Sequence, residues 1–170
     1  LSATALETEV IAINAGNHTG GLTVNLSDKV TMVATTGSGD DVISSNAILT
    51  TGSVNAGDGA DLLIAGALNQ VNTAALGAKF TNFETLRTIG TLDMDLTLDG
   101  ITALQLTGAT NNITNMTAVQ AAAVKAHGTT IGATTFALKD ATGASDVLNI
   151  TLGTGLTTGQ AADASVLTVT

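Results

Sequence analysis

Two short stretches combine glycines and carboxylates at matching spacings. Residues 36–44 read Thr-Gly-Ser-Gly-Asp-Asp-Val-Ile-Ser, and residues 56–64 read Ala-Gly-Asp-Gly-Ala-Asp-Leu-Leu-Ile. Both follow x-G-x-G-x-D-x-U-x, with U a large apolar residue. Such a stretch could bind a hard divalent cation. Calcium takes about six to eight oxygen ligands and mixes carboxylates with backbone carbonyls. Glycines let a tight turn aim several carbonyls at one point. The first turn offers Gly37, Gly39, Asp40 and Asp41, and the second offers Gly57, Asp58, Gly59 and Asp61. The apolar residue after each aspartate would anchor the turn in a core. The competing reading is a pair of plain glycine turns without metal.

Further carboxylates are weaker candidates. Asp93, Asp95 and Asp99 fall on one side of an alternating segment, residues 92–98, whose other side carries Leu92, Met94, Leu96 and Leu98. Repulsion between like charges on a strand face would be relieved by a bridging cation, with Asn111 or Asn112 assisting. The plainer reading is a solvated strand face. A degenerate third turn, residues 142–148, keeps Asp146 before an apolar pair but lacks the second glycine. His18 and His127 lie in or beside glycine-containing loops without metal-ligand spacing and read as loop residues. There is no G-x-S-x-G elbow and no cysteine, so no nucleophilic machinery is visible. The chain is read as a non-enzyme. The Gly37–Gly39 turn is not a phosphate loop either, because no lysine and no helix start follow it.

The elements that must position these turns are short strands. Residues 22–26 alternate apolar and polar with period 2. Residues 30–35, 103–108, 134–138, 147–152 and 166–170 also read as strands, rich in Val, Ile, Leu and Thr. Residues 67–79 could hold a short helix or a loop. Glu7 and Glu84 each precede a Thr and a strand, so they look like equivalent positions of a repeat. One short helix is expected near 117–126, where Ala and Gln predominate and Thr117 could cap the start.

Composition bounds the rest. The 170 residues suit one domain or a segment of a longer chain. A net charge of −9 argues against nucleic acid. No apolar run approaches the roughly 18 residues that cross a bilayer. Short strands joined by Gly, Asn and Asp turns predict an all-β fold. We expect a single β-solenoid, parallel β-helix-like, with glycine-rich calcium turns, in which coils bury their apolar faces on each other. A β-sandwich is the alternative. The 20-residue step from Asp41 to Asp61 excludes a tandem nine-residue array but suits one longer coil, or two half-coils, between stacked turns.

With both turns laid out, the chain resembles RTX-type calcium-binding proteins exported by type I secretion, and within them the surface-layer proteins of Gram-negative bacteria. The resemblance rests on Gly37-x-Gly39-x-Asp41-x-Ile43, Gly57-x-Gly59-x-Asp61-x-Leu63, the segment Phe83-Glu84-Thr85-Leu86, and the Thr- and Ala-rich, cysteine-free composition. It implies a rod that folds outside the cell when calcium fills its turns, with Gly37, Gly39, Asp41, Gly57, Gly59 and Asp61 as ligands. It also implies a structural coat protein at the bacterial cell surface whose identical subunits form a lattice. A cell-surface polysaccharide is a further candidate partner. The alternative function is a calcium-binding module of a secreted adhesin or exoenzyme.

Overall fold

The computed structural model describes residues 2–3, 9–67, 69–127, 133–140, 142, 147–152 and 167–169. The fold is a parallel β-solenoid of about six turns. All described strand pairs are parallel, so the sandwich is set aside. The strands are β1 (Ser2–Ala3), β2 (Ala12–Asn14), β3 (Thr23–Asn25), β4 (Val33–Thr35), β5 (Val42–Ser45), β6 (Ser53–Asn55) and β7 (Leu62–Ala65). After helix α1 (Ala74–Gly77) come β8 (Phe80–Thr81), β9 (Thr85–Asp93) and β10 (Ala103–Met116). Helix α2 (Ala118–Ala121) precedes β11 (Val124–Ala126), β12 (Ala133–Leu138), β13 (Ile150–Leu152) and β14 (Leu167–Val169).

One long sheet runs β1-β3-β5-β7-β9-β10-β11-β13, with β12 and β14 branching from β10. A second sheet runs β2-β4-β6-β8. From β1 to β9, alternate strands therefore feed alternate sheets and each circuit of the chain closes one coil, whereas β9 to β14 all join the long sheet. The register is strict. Val24, Ile43, Leu63, Leu86, Leu104, Val124 and Ile150 stand in one inward row. Ile43, Leu63, Leu86 and Leu104 in that row have no solvent exposure. Burying one such side chain is worth about 1.5–3 kcal/mol. The row includes the U positions of the two glycine turns, Ile43 and Leu63, as the sequence pattern required.

Two expectations are corrected. Residues 92–98 do not form one strand: β9 ends at Asp93. There the Asp95 N–H donates to Asp93 Oδ1 at 3.0 Å and the Leu96 N–H to Asp93 O at 3.0 Å, which turns the chain. A side chain that captures nearby backbone donors outcompetes the sheet, and Leu96 is left exposed. The helix expected over 117–126 covers only Ala118–Ala121. A capping box from Thr117 and Gln120 starts it, as the sequence suggested. It stops because Val124 takes the inward place beside Leu104. Sheet register overrides the helix preference of alanine there.

Candidate functional site

Both glycine turns lie at the same corner of the solenoid, one coil apart. Each leads from the second sheet into the long sheet, from β4 to β5 and from β6 to β7. The corners touch backbone to backbone. A Cβ on Gly37 would lie 1.7 Å from the carbonyl oxygen of His18, and one on Gly57 would lie 1.9 Å from that of Gly37. Gly57 also has φ +93°. These glycines are required by the stacking of coils, whether or not an ion is bound.

The aspartates are used in a way the motif did not announce. Asp41 and Asp61 are 1 % and 0 % exposed. Asp41 Oδ1 accepts from the Leu22 N–H at 2.7 Å, in the preceding coil. Its Oδ2 accepts from the Gly37 N–H at 3.4 Å. One coil on, Asp61 Oδ1 accepts from the Asp41 N–H at 2.7 Å. Another coil on, Glu84 Oε2 accepts from the Asp61 N–H at 2.8 Å. Three acids thus form a ladder in which each carboxylate satisfies the backbone donor of the coil before it. An unmet buried donor would cost about 1–3 kcal/mol, so the ladder holds the corners together directly. At the surface Asp40 links coils in the opposite sense, accepting from the Ala60 N–H of the following coil at 2.9 Å.

One acceptor is left over. Asp61 Oδ2 is buried without a hydrogen-bond partner. Burial is the main cause that pushes the Asp61 carboxyl up to about 6, with the charges of Asp41, Glu84 and Asp40 adding to it. The hydrogen bond from the Asp41 N–H opposes them. An ionised Asp61 therefore lacks a counter-charge, and a cation or a proton at Oδ2 would supply one. Gly37, Gly39, Asp40, Asp41, Gly57, Asp58, Gly59 and Asp61 all gather at this corner. Among the described residues, no three carboxylate or imidazole groups converge as a metal-ligand cluster. Any cation here must take much of its coordination from backbone carbonyls and water.

The other candidates are dispersed. Asp93 Oδ1 accepts from Asn115 Nδ2 at 2.8 Å, and Asp95 pairs with Lys139 at 2.7 Å. Asp99 lines a shallow cleft with Phe80, Asn82, Glu84 and Gly100. The three aspartates thus have separate surroundings. Asn111 Oδ1 accepts from the Gly90 N–H at 3.0 Å, and Asn112 Oδ1 accepts from Thr135 Oγ1 at 2.6 Å; both hold strands together. Asp146 and Glu7 lie outside the described residues. His18 and His127 are half-buried, each with one unpartnered buried nitrogen. Glu84 is the site residue that the glycine pattern could not reveal, because its corner lacks the glycines. Its signal was positional, an acid just before a strand. Comparison with protein-family models, with curated proteins and with solved structures returns no match.

Proposed function

We propose that this chain is a structural segment of an extracellular bacterial surface layer, a self-assembling rod stabilised by calcium. The observation that carries the reading is the buried, unpartnered Oδ2 of Asp61 within a ladder of acids. A solenoid that only needed hydrogen-bond acceptors would be served by neutral asparagine. Stacked carboxylates repel, so their use makes sense if a cation offsets the charge. Asp61 would ligate through Oδ2, and Asp40 and Asp58 are exposed nearby in the same turns to contribute charge. Bound calcium would add its binding free energy to folding, so the rod would be weak where calcium is scarce and firm where it is millimolar.

The coat role is supported by the shape of the fold: translationally repeated coils and rows of like residues suit assembly into an array. The test is a calcium titration followed by circular dichroism and light scattering. Strand content and thermal stability should rise with calcium, and Asp61→Asn should weaken calcium affinity by about tenfold while Asp28→Ala leaves it unchanged. Equal effects at both positions would sink the corner assignment. The coat reading fails separately if the calcium-loaded protein stays monomeric at high concentration.

A further inference from the structure

The chain contains two Asp-Gly steps, Asp58–Gly59 and Asp99–Gly100. In such a step the amide nitrogen of the glycine can attack the side-chain carboxyl of the aspartate, because no side chain on the glycine hinders the approach or restricts its backbone. All four residues are exposed, so neither sequence nor exposure separates the two steps. Their attachment to neighbouring coils does.

Asp58–Gly59 is clamped in the glycine corner. The Asp58 N–H donates to Gly37 O at 3.0 Å, and the Ala60 N–H donates to Asp40 Oδ1 at 2.9 Å. Both flanks of the step are thus tied to the preceding coil. A Cβ on Gly59 would lie 2.7 Å from Gly39 O, so the backbones stack closely there. Asp99–Gly100 lies between the buried Leu98 and Ile101, past the last strand of the second sheet, β8. Among the described residues, no hydrogen bond ties the backbone of Asp99 or Gly100 to another coil. Neither a hydrogen bond nor an ion pair holds the Asp99 carboxylate. Ties between coils resume at Thr102, whose N–H donates to Glu84 O at 2.9 Å. Asp99 and Gly100 border the shallow cleft beside Phe80, Asn82 and Glu84, which holds about 260 Å³ of open space. A Cβ on Gly100 would meet only Phe83 O, at 3.3 Å.

We infer that Asp99 is a site of spontaneous isomerisation to isoaspartate, and that the fold protects Asp58 from the same reaction. The Gly100 nitrogen bonds to Asp99 Cγ, the Cγ–OH bond breaks, and the hydroxyl leaves with the amide proton as water. A five-membered succinimide ring closes. Water then adds to one of the two ring carbonyls. Opening at the former Cγ restores aspartate. Opening at the former main-chain carbonyl leaves the chain running through Cβ, with a free α-carboxylate. The water lost is regained, so no co-reactant is needed. The product carries one extra methylene in the backbone beside the cleft. Ring closure requires the backbone of the step to rotate, which the untied segment at Asp99 permits. At Asp58 the same rotation breaks two ties to the preceding coil, and losing two such bonds slows the reaction by about tenfold or more. The inference stands on these backbone ties and not on calcium.

The test ages the full 170-residue chain in chelator at mildly acidic pH, once folded and once unfolded in urea. Isoaspartate is located by peptide mapping with mass spectrometry and by enzymatic methylation of the isoaspartyl carboxylate. In the folded chain it should accumulate at Asp99 about tenfold or more faster than at Asp58. In urea the two rates should agree within about threefold. Asp99→Glu would need a six-membered ring, so it should abolish the signal in its own peptide and leave that of Asp58 unchanged. If Asp99→Glu disturbs folding by circular dichroism, the ratio of the two rates in the unaltered chain still decides. Absence of isoaspartate at Asp99, equal rates at the two sites in the folded chain, or a preference for Asp99 that persists undiminished in urea would each overturn it. Working in chelator makes protection at Asp58 a property of the folded backbone, separate from the calcium reading.

Discussion

Between pH 4 and 6 the buried carboxyl of Asp61 should set the slope of stability in calcium-free protein. Its folded pKa of about 6 lies above the ordinary value of 3.8, so the folded chain binds the proton more tightly than the unfolded chain. That contribution is complete below pH 4, falls away as the pH rises through 6, and is absent above. The loss should be on the order of 2–3 kcal/mol, read by urea unfolding at pH 4 and pH 7. Asp61→Asn keeps the Oδ1 acceptor for Asp41 and removes the charge, so its profile should lack that step. An unchanged step would show that another group carries it. Calcium should flatten the wild-type profile by replacing the proton. Asp41→Ala acts differently, because it strands the donors of Leu22 and Gly37. It should cost about 2–4 kcal/mol at pH 7, measured in the same unfolding experiment.

At the level of the element, the glycine corner and the strand behind it are one unit. Gly57→Ala would drive a methyl into the Gly37 carbonyl and force a side chain onto a positive φ. It should lower the melting temperature by several degrees, more than Gly16→Ala, which meets nothing closer than 3.5 Å. Leu63→Ala should cost about 2–5 kcal/mol, whereas Ile48→Ala, at a half-exposed position, should cost about 0.5 kcal/mol or less. These units were the most legible part of the sequence, because x-G-x-G-x-D-x-U-x encodes the corner, the ladder acid and the core residue in nine positions. What could not be read was the partner of each carboxylate. Asp41 meets Leu22 and Asp61 meets Asp41 only once 19 and 20 residues have wound a full coil, and no local pattern states that register. The acidic stripe at residues 92–98 misled for the opposite reason: alternation was present, but the local bonds of Asp93 ended the strand.

Across the whole molecule, coils are held by their neighbours, so stability should grade from the middle outward. Amide exchange should be slowest at Ile43, Leu63 and Leu86, which have strands on both sides, and faster in β2 at the edge of its sheet. Exchange as slow in β2 as in β7 would contradict this. The solenoid architecture itself was legible from short strands and repeated turns, whereas the hydrogen bond from Arg87 to Gln105 was not, since the two residues are brought together only by register. The corners also differ in how much length they allow. The glycine side is uniform across residues 36–41 and 56–61, while the opposite side grows from residues 46–52 to residues 66–79, with α1 inside. Growth by duplication is therefore open to this fold. A second copy of residues 36–55 placed after Asn55 would carry its own glycines, its own ladder aspartate and its own core isoleucine. It would lengthen the rod by about 4.8 Å without asking any existing residue to change partners in kind.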